Sequence, residues 1–190
     1  MWDSLQQTIS DFGDHRVLGP AALIVVGWLA WHDERALAMR LCGALVATAL
    51  VVVVLKLIIF TPQDTLWSDD AMFSQYFPSG HAALGAVAYG AVGLILARAD
   101  RRWQPALPMA LLVLAVICFT RLTLRQHPWG DVVGGLAIGG AVLGLSGFAA
   151  HCAPDRSIRP ASLALAFVAA LATFHVLRLP TRFLLESVLY

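Results

Sequence analysis

LCGALVATALVVVVLKLIIF, residues 41–60, is interrupted only by Gly43, Thr48 and Lys56. A bilayer core of about 30 Å needs about 20 helical residues to cross it, and a helix without a polar stripe has no face to offer water. This stretch is therefore a membrane-crossing helix. Working outward, charged residues bound five more apolar runs, residues 17–31, 82–97, 105–120, 132–150 and 160–177. The shorter runs must recruit flanking residues or stand nearly upright. The fold expected is all-α, an integral membrane bundle of six transmembrane helices forming one membrane-embedded domain over residues 1–190.

Composition points the same way. The chain is 59% hydrophobic and 13% charged, with a mean hydropathy of +0.74, whereas a soluble domain runs about 45–50% apolar and about 25% charged. A formal net charge of +1 leaves no surplus to neutralise a phosphate backbone, so nucleic acid is not an expected partner. Cys42, Cys118 and Cys152 lie in or beside apolar runs without a CxxC pair. That pattern matches neither a zinc site nor a disulfide framework and reads as small buried apolar side chains. Residues 1–16 are polar, with Asp3, Asp11 and Asp14, and carry no basic leader followed by a cleavable apolar stretch. No signal peptide is expected there.

Cytoplasmic loops carry the excess of Lys and Arg. After the first, third and fifth runs stand Arg35, Arg40, Arg98, Arg101, Arg102, Arg156 and Arg159. The other face holds Arg16, Lys56, Arg121, Arg125, Arg178 and Arg182. With Lys56 and Arg121 set aside for the chemistry below, the balance is seven against four, which places both termini and the loops after the second and fourth runs outside the cytoplasm. Residues 61–77 mix Asp64, Asp69 and Asp70 with Trp67, Phe73, Tyr76 and Phe77. This suits a segment at the lipid–water boundary, either roofing an entry for a lipid or anchoring the span ends as an aromatic belt. The fifth run is dense in glycine, from Gly134 and Gly135 to Gly147, which lets helix backbones approach closely.

Ionisable groups at membrane depth are costly and mark functional sites. Lys56 is the chain's one lysine, four residues from the end of its run; it either snorkels to the interface or serves a site. Pro78-Ser79-Gly80-His81 opens the third run. Ser79 is an ordinary helix cap, and a helix N-terminus also binds anions through its free N–H groups and dipole. Thr120-Arg121 closes the fourth run, and His127-Pro128 and Asp131 open the fifth. Asp131, one turn from His127, either caps the helix or accepts the imidazole N–H, which fixes the tautomer and frees the other nitrogen as nucleophile or base.

Parity joins these fragments. The second run ends, the third begins, the fourth ends and the fifth begins on one side of the membrane, so Lys56, Ser79, His81, Arg121, His127 and Asp131 converge there. Two cations, a helix N-terminus and two histidines form a site for a phosphate. The positive groups hold its oxygens, one histidine attacks phosphorus and the other protonates the departing oxygen, in a reaction that depends on positioning and charge.

Lys56, then PSGH at residues 78–81, then Thr-Arg-x5-His-x3-Asp from Thr120 to Asp131 resembles the type 2 phosphatidic acid phosphatase family, whose pattern is KxxxxxxRP, PSGH and SRxxxxxHxxxD. The resemblance runs from the first span to the sixth. It implies His127 as the nucleophile that forms a phosphohistidine, Asp131 as its orienting partner and His81 as acid to the leaving group. It also implies Lys56, Ser79, Gly80 and Arg121 as the groups that hold the phosphate oxygens, with no metal and no cofactor. The first block departs from the pattern: Gln63 and Asp64 stand where Arg and Pro are expected, with Pro62 one place early. An amide donates less than a guanidinium and carries no charge, so Arg125 is expected to supply the missing charge. Thr120 in place of serine keeps the hydroxyl.

The function expected is a bacterial inner-membrane lipid phosphatase, with its site on the outer, periplasmic face. Its partner is a lipid phosphate: undecaprenyl diphosphate, phosphatidylglycerophosphate, phosphatidic acid or a lipid A phosphate. Transfer of the phosphate to an acceptor alcohol is the neighbouring reading. An intramembrane serine protease using Ser79 leaves Lys56, Arg121 and Asp131 without a role. A catalytically decayed transport or scaffold protein predicts no binding of phosphate analogues.

Overall fold

The computed structural model describes residues 2–59, 72–74, 76–151 and 159–189, and the side chains among them except Asp3 and residues 178–189. Gln63, Asp64 and the rest of residues 61–71 and 75, most of the acidic and aromatic stretch 61–77, lie outside the described residues, as do Cys152 and Arg156. Every described regular element is helical: α1 (Trp2–Asp11), α2 (His15–Trp31), α3 (Arg35–Ile59), α4 (Gly80–Ala99), a 3-10 turn (Arg101–Trp103), α5 (Ala106–Thr123), α6 (Trp129–Leu145), α7 (Phe148–His151) and α8 (Pro160–Leu189).

Among the described residues, four stretches are long and apolar enough to cross a membrane: Arg35–Ile59, Gly80–Ala99, Arg101–Thr123 and Pro160–Leu177. Two further helices, α2 and α6, have 17 residues each. Every expected apolar run falls on a helix, and the fifth is broken. It stops at Leu145 because Gly147 takes a left-handed φ of 66° and restarts the chain as the short α7, a conformation that costs glycine little.

The bundle is built around α4, whose apolar window is 67% buried against 17% for α3. It packs on α6 and α5 and also meets α3 and α2. Small residues make this possible. A Cβ at Gly135 would stand 2.4 Å from the Ser79 carbonyl oxygen, and one at Gly139 would stand 2.1 Å from that of Ala83. Bare glycine at these two places draws α6 against the first turns of α4, and Asp131, one turn before Gly135, is thereby seated beside Ser79. At the opposite end Arg40 donates to the Ser146 carbonyl at 2.6 Å and meets His151 Nε2 at 3.0 Å, while Arg98 donates to the Ala149 carbonyl. Basic side chains thus tie α3 and α4 to the turn around α7.

One helix lies outside the six apolar runs. Residues 2–11 form α1, which packs on α5. Its signal is Trp2, Leu5, Ile9 and Phe12 at helical spacing, within a segment that is polar overall.

Candidate active site

The turn between α5 and α6 sets the position of His127. The Arg121 carbonyl accepts the N–H of Gln126 at 3.1 Å and of His127 at 3.4 Å, which folds the chain back over the last turn of α5. Pro128 then opens α6 with φ −68°, an angle its ring imposes. Asp131, in the first turn, is fully buried and points back to His127, with Nδ1 to Oδ2 at 2.8 Å. Opposite a carboxylate, Nδ1 carries the proton, so Nε2 presents a lone pair. Burial pushes the His127 imidazole below its ordinary value, and the charges of Arg121 and Lys56 add to this, while the hydrogen bond and charge of Asp131 oppose it. The outcome is a neutral, oriented imidazole with a free ring nitrogen.

Asp131 is itself held by Ser74, whose N–H donates to Oδ1 at 2.9 Å and whose hydroxyl donates to Oδ2 at 2.5 Å. Ser74 had no motif to mark it. Across the contact, Ser79 precedes α4 and donates its backbone N–H to the Asp131 carbonyl at 3.0 Å. Its hydroxyl is fully buried without a hydrogen-bond partner among the described residues. A buried hydroxyl left unsatisfied is costly, and here it stands at a helix N-terminus whose first N–H groups have no intrahelical acceptor. The hydroxyl is not bonded to a histidine, as a serine nucleophile would require.

Arg121 is buried in the last turn of α5 and donates from Nη1 to the Ser10 hydroxyl at 3.0 Å. Lys56, half-buried near the end of α3, lies within electrostatic reach of Arg121 and Asp131. His81, in the first turn of α4, lies near Arg121, Asp14 and His127, and its Nε2 stands 3.8 Å from Asp14 Oδ2. Lys56, Ser79, Gly80, His81, Arg121, His127 and Asp131 therefore gather at one end of the bundle.

Arg125 does not join them. It sits on the turn at φ 51° with an exposed side chain, and among the described residues that side chain bonds to none of the others. Thr120 turns its hydroxyl onto the Ile117 carbonyl of its own helix at 2.7 Å. Sequence reasoning missed Ser10, Asp14 and Ser74, whose contacts join segments far apart in the chain.

The profile of the PAP2 superfamily matches residues 37–156, more than half of the chain and every residue of the cluster from Lys56 to Asp131. The chain belongs to the PAP2 superfamily. Membership supports phosphatase activity on phosphate esters in general. The matched region of this PAP2 protein begins after α1 and α2, so Ser10 and Asp14 lie outside it. No curated protein and no solved structure matches the chain significantly.

Proposed function

We propose that this PAP2 protein is a membrane lipid phosphatase that removes a phosphate from a lipid phosphomonoester or diphosphate through a phosphohistidine. The observation that carries the reading is the buried His127–Asp131 pair at 2.8 Å facing two cations. His127 Nε2 attacks phosphorus, and Asp131 fixes the tautomer and stabilises the imidazolium as it forms. Lys56, Arg121, the Ser79 hydroxyl and the N–H groups from Gly80 onward cradle the phosphate oxygens, where charge builds in the transition state. His81 protonates the leaving oxygen. Water then cleaves the N–P bond.

Metal independence belongs to the same reading, since Lys56 and Arg121 supply the positive charge that a metal would otherwise bring. So do six spans, with α2 and α6 crossing beside the four longer helices, and a place in the bacterial inner membrane with the site facing the periplasm. Arginines at the opposite end of the bundle support that orientation. Undecaprenyl diphosphate, phosphatidylglycerophosphate, phosphatidic acid and lipid A phosphates are the substrate classes in view.

The test is phosphate release by the purified protein in detergent with EDTA across those lipids, beside His127→Ala, with acid-quenched protein assayed for acid-labile phosphohistidine. Release that depends on His127 supports the reading. Absence of release from every lipid, or release untouched by His127→Ala, overturns it. Phosphate recovered on an added alcohol instead of in water would make the protein a transferase.

A further inference from the structure

The segment before α2 reaches the phosphate end of the bundle at three points. Gln7 accepts from Gln126 at 3.2 Å, on the turn leading to His127. Ser10, fully buried, accepts from Arg121 at 3.0 Å. Asp14 Oδ2 stands 3.8 Å from His81 Nε2, with both side chains largely buried. Gly13 permits the approach: a Cβ there would come within 2.6 Å of Ile117 Cγ2 and 3.3 Å of His81 Cδ2.

The two oxygens of Asp14 are divided between two duties. Oδ1 caps α2 by accepting the Arg16 N–H at 2.8 Å, and it also meets the exposed His15 at 3.4 Å. Oδ2 is turned to His81. The carboxylate is thus anchored to a helix start and cannot swing away from the imidazole without giving up the cap.

The two histidines need opposite states for phosphoryl transfer. His127 attacks as a neutral imidazole, whereas His81 must bring a proton to the leaving oxygen. Burial favours the neutral form of His127 and the Arg121 charge adds to it, and Arg121 stands near His81 as well. The groups that face His81 are Arg121 from α5, His127 from the turn before α6, and Asp14 and His15 from the N-terminal segment. Of these only Asp14 is negative.

We propose, resting on the phosphatase reading above, that Asp14 is a positioning residue of the active site, holding His81 by Nε2 and supplying the negative charge against which His81 carries its proton. The site then contains two histidine–carboxylate pairs, His127 with Asp131 for attack and His81 with Asp14 for departure. As His127 Nε2 bonds to phosphorus and the P–O bond to the leaving group breaks, the His81 proton passes to the leaving oxygen. When water attacks the phosphohistidine, His81 takes a proton from it, the N–P electron pair returns to His127, and phosphate leaves. Asp14 stays a carboxylate throughout, and the negative charge of the bound phosphate adds to its effect.

Asp14→Asn and Asp14→Ser both keep a good helix cap while removing the charge. Together with Asp14→Glu, they are assayed in the full-length protein in detergent on two lipids: a long-chain alkyl phosphate, whose leaving oxygen needs a proton, and an alkyl-substituted nitrophenyl phosphate, whose leaving oxygen does not. The expected result is a fall in kcat on the alkyl phosphate of about 10- to 100-fold, part of the general-acid contribution, with KM little changed. The alkaline limb of the rate should move about one pH unit lower, the aryl phosphate should lose less than about threefold, and Asp14→Glu should recover most of the rate. Unchanged hydrolysis of the alkyl phosphate by Asp14→Asn and Asp14→Ser overturns the inference alone. Equal losses on both lipids at every pH also overturn it, since that is the signature of a merely structural role. No release from either lipid by the unaltered protein overturns the phosphatase reading and this inference with it.

Discussion

Ser74 donates to Asp131 twice, N–H to Oδ1 at 2.9 Å and hydroxyl to Oδ2 at 2.5 Å, so the carboxylate that orients His127 is fixed from the segment before α4. Ser74→Ala removes one donor from a buried acceptor, a cost of about 1–3 kcal/mol. If the whole effect falls on orientation of the nucleophile, kcat drops by about 10- to 100-fold with KM nearly unchanged. Steady-state phosphate release checks this, and a change confined to KM would count against the relay.

His127→Ala is expected to abolish phosphate release and the phosphohistidine together. Asp131→Asn keeps the size of the side chain but lets the imidazole adopt the other tautomer, and a loss of about 10³–10⁴-fold in kcat is expected by analogy with hydrolase triads. Acid-quenched single turnovers measure both, and a phosphohistidine forming at the normal rate in Asp131→Asn would remove Asp131 from its role.

The pH dependence has a definite sign. His127 lies below its ordinary value of 6.5, so the neutral nucleophile persists as pH falls through that value, and the acid limb of kcat/KM should lie below 6.5. Lys56→Gln removes a charge that favours the neutral form and should move the limb to higher pH. Asp131→Asn removes the groups that favour the imidazolium and should move it lower. An acid limb above 6.5 in the unaltered protein would contradict the burial of His127.

The cradle and its surroundings should separate in kinetics. Arg121→Ala is expected to lower kcat/KM by about 10²–10³-fold, the scale of losing one preorganised donor. Arg125→Ala, at an exposed turn, is expected to change kcat and KM by less than about threefold, or about 0.7 kcal/mol. A large effect of Arg125→Ala would mean that the turn closes over the phosphate.

Gly139→Ala tests the packing beneath the site. Its Cβ would meet the Ala83 carbonyl oxygen at 2.1 Å, so α6 must move off α4 at a cost of about 1–3 kcal/mol. A lower thermal midpoint is expected, with reduced kcat because Asp131 rides on α6. Gly140→Ala, with nothing within 4 Å of its Cβ, is the matched control and should leave kcat unchanged without lowering the thermal midpoint, since alanine favours the helix over glycine.

The sequence by itself determined the helical, membrane-crossing class, because an apolar run of about 20 residues such as 41–60, without strand-like alternation, satisfies its backbone in lipid as a helix. It also placed Lys56, His81, Arg121, His127 and Asp131 at one end, since alternating helix direction is a matter of counting runs. The tertiary structure alone decided which groups touch. Ser74 on Asp131, Ser10 on Arg121 and Asp14 beside His81 join residues far apart in the chain, and no local spacing encodes such contacts. It also decided that α1 is a helix against α5, that the fifth run breaks at Gly147 and that Arg125 faces outward. Around α4, glycines at 135 and 139 set how near α6 approaches, and a contact distance of that kind is a property of two surfaces together and of neither sequence segment alone.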